Sequence, residues 1–158
     1  MPRKSFQVNH TAQQIDTLYK SRLVRLFVNQ MVKNGKSRLA HRLLYTAIDM
    51  CSTSQEDGVQ VLSKAVVNVT PQIEVRPQRI GGSVYQVPMK VSADRGTALA
   101  IRWLVTSART RPGLSMSTKL ATEFSDAAKQ TGNAIRKRDD MQRMAEANKA
   151  FAHLAART

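Results

Sequence analysis

Acidic residues are scarce in this chain of 158 residues: 11 Asp and Glu stand against 25 Lys and Arg, a net charge of +14. Self-repulsion of that size opposes compaction, so the excess points to a polyanion or an anionic surface as partner. Cysteine is almost absent. Cys51 is alone, which excludes an internal disulfide framework and a cysteine zinc site, and its apolar helical surroundings read as those of a small buried hydrophobe. Long apolar runs are missing too. The longest, Ala98 to Val105, is interrupted by Arg102, so no helix here is expected to cross a membrane. The opening MPRKSFQVNHTAQQ has no apolar h-region and too few Arg and Ser residues in amphipathic order for a transit peptide. The expectation is a protein made in the compartment where it works. Aromatic residues are only 5%, which disfavours recognition built mainly on base stacking.

Hydrophobic residues make up 42% of the chain, enough for a genuine core, and the length fits one domain. Residues 1–14 are polar, basic and aperiodic and read as an arm that orders on binding; residues 15–158 read as a single helical domain. Periodicity predicts a first helix over Asp16 to Val32, where Leu23, Phe27 and Met31 recur beside Val24 and Val28. Arg22, Arg25, Asn29 and Lys33 fall on its other side, and Asn34-Gly35 stops it. A second helix is expected over Ser37 to Met50 and a third over Glu56 to Val69, ended by Thr70-Pro71. A fourth runs from an N-cap at Ser92 to Arg109, a fifth opens at Ser115 or Ser117 with Gly132 as its stop, and a sixth covers Ala134 to Ala152.

One stretch departs from this pattern: IEVRPQRIGGSVYQVPMKV, Ile73 to Val91. Tyr85, Val87, Met89 and Val91 alternate with Gln86, Pro88 and Lys90, which is strand periodicity, and Ile73 and Val75 begin a partner strand. Pro77 and Pro88 each remove a backbone donor, so neither belongs in a central strand. Gly81-Gly82 supplies the positive φ that a tight hairpin tip needs. The prediction is a mainly α fold: a six-helix bundle with a protruding two-stranded β-hairpin, about 73–91, between helices three and four. Arg76, Arg79 and Lys90 put positive charge on that hairpin. It reads as a finger laid into or along RNA, against the alternative of a hairpin folded back with merely solvated charges.

Arg95, Arg102 and Arg109 are seven residues apart in the fourth helix. Seven residues return to within roughly 20° of the same direction, so the three form one stripe stepped by roughly 10 Å, extended by Arg111. Such a stripe can follow a phosphate backbone, where planar guanidinium groups bind bidentately. The turn VKNGKSR ends like a phosphate-binding P-loop. However, Gln30 stands where the first glycine is required and a helix precedes it instead of a strand. The better reading is a helix–helix turn offering Lys33, Lys36 and Arg38 to phosphate.

Enzyme signatures are missing. His10, His41 and His153 have no metal-ligand spacing, so neither a catalytic residue nor a metal or other cofactor is expected. Cys51 and His41, ten residues apart on one helix, are separated by roughly 15 Å along its axis, too far for a nucleophile–base pair. Asp139 and Asp140 read as surface ion pairs with Arg143 and Arg136. The residues favour folded RNA recognised through phosphate and shape.

The segments PQIEVRPQRIGGSVYQVPMKV, LAIRWLV and RMAEANKAFAH, with MVKNGKS before them, closely resemble the small ribosomal subunit protein seven family of bacterial type. The similarity runs along nearly the whole chain. RPG at Arg111 to Gly113 and GNAIRKR at Gly132 to Arg138 look most like cyanobacterial and plastid members, whereas the ending LAART departs from the family's aromatic-basic ending. The resemblance implies a six-helix bundle with a hairpin that binds the 3′ major domain of small-subunit ribosomal RNA and nucleates assembly of the subunit head. It also implies a place near exit-site transfer RNA and the messenger RNA exit path, beside small-subunit protein number eleven. By matching motif, Arg76, Arg79, Gly81, Gly82 and Lys90 belong to the hairpin surface. Arg3, Lys4, Lys33, Lys36, Arg95, Arg102 and Arg109 belong to the RNA-facing surface, and Arg143 and Met144 to the exit-site region. The implied location is a ribosome in the plastid (chloroplast) stroma, with the bacterial cytoplasm as the alternative, and no membrane.

Two other readings compete. A DNA-binding regulator needs a recognition helix with exposed base-reading side chains and usually a dimer surface; no segment offers one. An RNA-modifying enzyme needs a polar constellation, and none is found. Binding to its own messenger RNA is compatible with the same surface as a second function.

Overall fold

The computed structural model describes residues 15–52, 57–113 and 115–157. The expected arm, with Arg3 and Lys4, lies outside the described residues, as does Glu56. The described helices are α1 (Arg22–Met31), α2 (Ser37–Cys51), α3 (Gly58–Val69), α4 (Ala93–Thr110), α5 (Met116–Ala128) and α6 (Asn133–Ala147). A hairpin of β1 (Ile73–Ile80) and β2 (Ser83–Lys90) lies between α3 and α4, and a 3-10 helix, Lys149–Arg157, follows α6. This is the mainly α bundle with one inserted hairpin that periodicity predicts.

Each helix contributes an apolar stripe to one core. In α1, Val24, Phe27, Val28 and Met31 are buried at helical spacing. Phe27 meets Phe124 of α5 edge to face, with ring centroids 5.4 Å apart. Helix α5 packs against α2, α3, α4 and α6. Leu44, Ile48, Leu62 and Leu104 share the core with its own Leu120, all fully buried, and burial of each such side chain contributes roughly 1.5–3 kcal/mol. Cys51 is buried as expected, its thiol directed at the Ala121 carbonyl at 3.4 Å, and burial pushes its pKa up.

Three boundaries differ from the sequence reading, each for a local reason. Helix α1 starts at Arg22 instead of Asp16. The Asp16 carboxylate accepts the backbone N–H groups of Leu18 at 3.1 Å and Tyr19 at 3.0 Å, a turn that competes with helix. Lys20 then takes positive φ. Tyr45 of α2 donates to the other oxygen of Asp16 at 2.8 Å, which fixes the turn. Gly132 does not stop α5. Gln130 takes the left-handed position, φ +58°, and Gly132 is the N-cap of α6. A Cβ on Gly132 would lie 3.2 Å from Asp126, so its absence lets α6 start against α5. Finally, α6 ends at Ala147, where the Asn148 side chain donates to the Met144 carbonyl at 2.8 Å and the chain tightens into the 3-10 helix.

The hairpin register runs from Ile73 opposite Lys90 to Ile80 opposite Ser83, which leaves Gly81 and Gly82 as a two-residue loop. Both have positive φ, 58° and 92°, as a type I′ turn requires. A Cβ built on either would meet nothing within 4 Å, so the tip stands clear of the bundle. The base is anchored. Val87 is fully buried, flanked on the same face by half-buried Tyr85 and Met89, and Tyr85 packs against Phe151 with ring centroids 5.3 Å apart. By register, Glu74, Arg76 and Gln78 share that inward face, while Ile73, Val75 and Arg79 sit on the outer one with Lys90.

Candidate nucleic-acid interface

Most of the described carboxylates are bonded within the chain. Asp94 pairs with Arg22 at 3.4 Å, Asp139 with Arg138 at 2.7 Å, and Asp140 with Arg143. These last two pairings replace the i,i+4 pairs expected from sequence. Glu123 and Asp126 hold Arg111, and Glu74 holds Arg76 and Arg95. Asp49 accepts from Tyr19 at 2.8 Å. With its acids answered internally, the chain presents its excess positive charge outward.

Part of that charge runs along α4. Arg95, Arg102 and Arg109 are all exposed, as the stripe predicts. Their surroundings differ. Arg95 donates Nε–H to both oxygens of Glu74 at 2.8 Å. Arg109 donates to the Met31 carbonyl at 3.3 Å, at the end of α1. Arg102 has no hydrogen bond or ion pair among the described residues. It lines, with Arg22, a groove of about 520 Å³ between α1 and α4, floored by Leu23, Leu26, Ala98 and Ile101. Beyond it, Lys33 and Lys36 of the α1–α2 turn share a second hollow of about 290 Å³ with Arg109. The fold thus places the turn cations next to the end of the α4 stripe, an adjacency the sequence reading left open.

The other expected residues are distributed as follows. Arg38 is exposed on α2 and Arg25 is half-buried on α1. Arg111 is the C-cap of α4 and only 22% exposed. Its Nε and Nη2 donate to Glu123 at 3.1 and 2.6 Å, and Nη2 reaches Asp126 at 2.6 Å. Burial pulls its pKa down, and the bonds to Glu123 and Asp126 outweigh that and raise it. Arg79 and Lys90 are exposed on the hairpin's outer face, Arg76 on its inner one. Arg143 and Met144 are exposed on α6.

Sequence reasoning missed Glu74 and Arg138. Arg138 donates to the Asn68 carbonyl at 2.5 Å and ties α6 to α3. The signal for Glu74 was present: an acid two residues before Arg76 in a strand must share its face. Among the described residues no group of His, Cys, Asp and Glu could hold a metal ion, and no helix is long and apolar enough to cross a membrane.

Comparison with known proteins gives the family. The sequence profile described as "Ribosomal protein S7p/S5e" matches residues 2–149. Small ribosomal subunit protein uS7 of Synechococcus sp. strain JA-3-3Ab is 54% identical over 139 residues, 87% of this chain and 89% of that protein. The plastid form uS7c of Nephroselmis olivacea is 51% identical over 140 residues, 88% of this chain and 90% of that protein. The uS7 protein of Nostoc punctiforme is 50% identical over 139 residues, 87% and 89% of the two chains. The chain therefore belongs to the S7p/S5e family of small-subunit ribosomal proteins, structural constituents of the ribosome and not enzymes.

Proposed function

We propose that this ribosomal protein binds the 3′ major domain of small-subunit ribosomal RNA, nucleates assembly of the subunit head and lines the exit-site region. The observation that carries the reading is the run of cations from the hairpin base along α4 to the α1–α2 turn, on a chain whose acids are mostly bonded inside. Arg95, Arg102 and Arg109 follow the phosphate backbone, with Lys33, Lys36 and Arg22 beside them. The residue 1–14 arm orders on the RNA, which widens the contact at a cost in affinity. The exposed hairpin tip reaches past the bundle, and Arg143 and Met144 on α6 face the exit-site transfer RNA and messenger RNA, near small-subunit protein number eleven. The host ribosome is that of the plastid stroma, with the bacterial cytoplasm as alternative; relatives include cyanobacterial and plastid forms. Co-sedimentation with chloroplast ribosomes decides between them.

The mechanism is charge neutralisation: basic side chains displace counterions and hold separate RNA helices together. The test is binding to a 3′ major domain fragment, against a scrambled RNA and a DNA duplex, across salt. Preference for the fragment near physiological salt supports the reading. Affinity should still fall steeply, since 6–10 phosphate contacts cost roughly 10³–10⁵ between 50 and 200 mM salt. Equal binding to all three would reduce the surface to a generic basic patch.

A further inference from the structure

Glu74 is the one acid in the hairpin Ile73–Lys90, on a surface where a negative charge repels phosphate. It is nonetheless buried, at 5% exposure, and its carboxylate is the meeting point of two arginines from different elements. Arg76, two residues along β1 and so on the same strand face, donates Nε–H to one oxygen. Arg95, in the first turn of α4, donates Nε–H to both oxygens at 2.8 Å. Each bond runs through the inner guanidinium nitrogen, and the two side chains stay 45% and 49% exposed. We infer that Glu74 is a positioning residue that gathers Arg76 and Arg95 into a single two-arginine phosphate site where hairpin meets bundle. The inference rests on the RNA-binding reading above and adds the residue that assembles the site.

Two guanidinium groups repel each other, and each sits on a side chain with large rotamer freedom. A carboxylate between them offsets the repulsion and fixes both side chains before RNA arrives, so less ordering remains to be done on binding. Two cations and one anion leave one net positive charge. The outer guanidinium edges then meet a phosphate with charge-assisted, geometrically defined donors. Because Arg76 belongs to the hairpin and Arg95 to the bundle, the same carboxylate also sets the angle between them.

The test turns on sign. Loss of an acid makes the protein more positive, so bulk electrostatics alone has Glu74→Gln bind the ribosomal RNA fragment more tightly. The positioning role has it bind about tenfold more weakly, with a log–log salt slope shallower by roughly 1–2 as two phosphate contacts loosen. Glu146→Gln removes the same charge from an exposed site on α6 that holds no arginine and should bind as well as wild type or better. A Glu74→Gln protein that matches or exceeds wild-type affinity overturns the inference. If that variant does not fold, Glu74→Asp, which keeps the charge and withdraws the carboxylate by one methylene, takes its place under the same two outcomes.

A readout without RNA separates the two layers. The Nε–H resonances of Arg76 and Arg95 should exchange slowly with water in the wild type and rapidly in Glu74→Gln. Rapid exchange in the wild type overturns the positioning role while leaving RNA binding untouched. Failure of the wild type to prefer its RNA fragment would instead bring down the RNA-binding reading and this inference with it.

Discussion

At the C-terminal end of α4, Arg111 is 22% exposed and holds the fully buried Glu123, with Asp126 beside it. At the N-terminal end, Arg95 is 49% exposed and shares Glu74 with Arg76 of the hairpin. The residue types are the same and the bond lengths are similar. What differs is how much guanidinium remains outside. Arg111 is enclosed by its carboxylates and stitches α4 to α5, while Glu123 also accepts the Ala134 N–H at 3.0 Å and so seats α6. Arg95 and Arg76 keep an outer edge. An arginine with an internal partner is therefore not excluded from a ligand; its residual exposure decides.

The largest effect should come from the closed end. Glu123→Ala leaves Arg111 with Asp126 alone and strands an N-terminal N–H of α6, and should cost about 3 kcal/mol of stability. That is some 6–12 °C in melting temperature for a chain of this size, with the RNA affinity of the protein that remains folded unchanged. An equal loss of affinity would mean that the closed cluster also touches RNA. Next, Arg95, Arg102 and Arg109 replaced together by alanine should weaken RNA binding on the order of 100-fold, about 2.8 kcal/mol, flatten the salt slope and leave helicity intact. An unchanged slope would remove the stripe from the interface. Arg102→Ala alone should weaken binding a few-fold and make the slope shallower by about 1, with no change in melting, because Arg102 has no internal partner among the described residues. A drop in melting temperature would expose a structural role for it.

The smallest effect contrasts arginine stitches with tyrosine ones. Burial first, then the hydrogen bond and charge of Asp49, push the Tyr19 pKa up to about 12. Burial, then Asp16, raises that of Tyr45. The folded state thus favours the protonated phenol, so the associated stability is complete below the unfolded pKa of about 10 and is lost as pH rises toward 12. Thermal melts from pH 9 to 12 should show a modest decline that Tyr19→Phe reduces. An arginine stitch contributes nothing to that decline, since guanidinium stays charged throughout.

Helical periodicity made most of the fold legible. The apolar faces of α2 to α5 repeat strictly enough that their ends fall within a residue or two of expectation wherever both are described. Two of the three failures involve a side chain bonding to backbone, and the third turns on Gln130 taking the left-handed position. Asp16 captures two N–H groups and holds off α1, and Asn148 captures a carbonyl where α6 gives way. Neither bond has a period, so neither appears in a pattern of apolar spacing. At the interface, spacing correctly put three arginines on one exposed stripe. It could not distinguish Arg102 from Arg95, because the partner of Arg95 lies 21 residues away in another element. Nor could it show that Lys33, Lys36 and Arg109 converge, which depends on how α1, α2 and α4 pack.

The ring contact between Tyr85 and Phe151 joins the middle of the chain to a residue made much later. During synthesis the helices α1 to α3 can begin to collapse while β2 is still emerging, yet Tyr85 has no aromatic partner until residue 151 has been translated. For that interval the newborn chain displays a two-stranded edge beside an uncovered tyrosine, the kind of surface that pairs with neighbouring nascent chains. The ring contact thus orders events as well as atoms: that face of the hairpin is complete only once the chain has been made as far as residue 151.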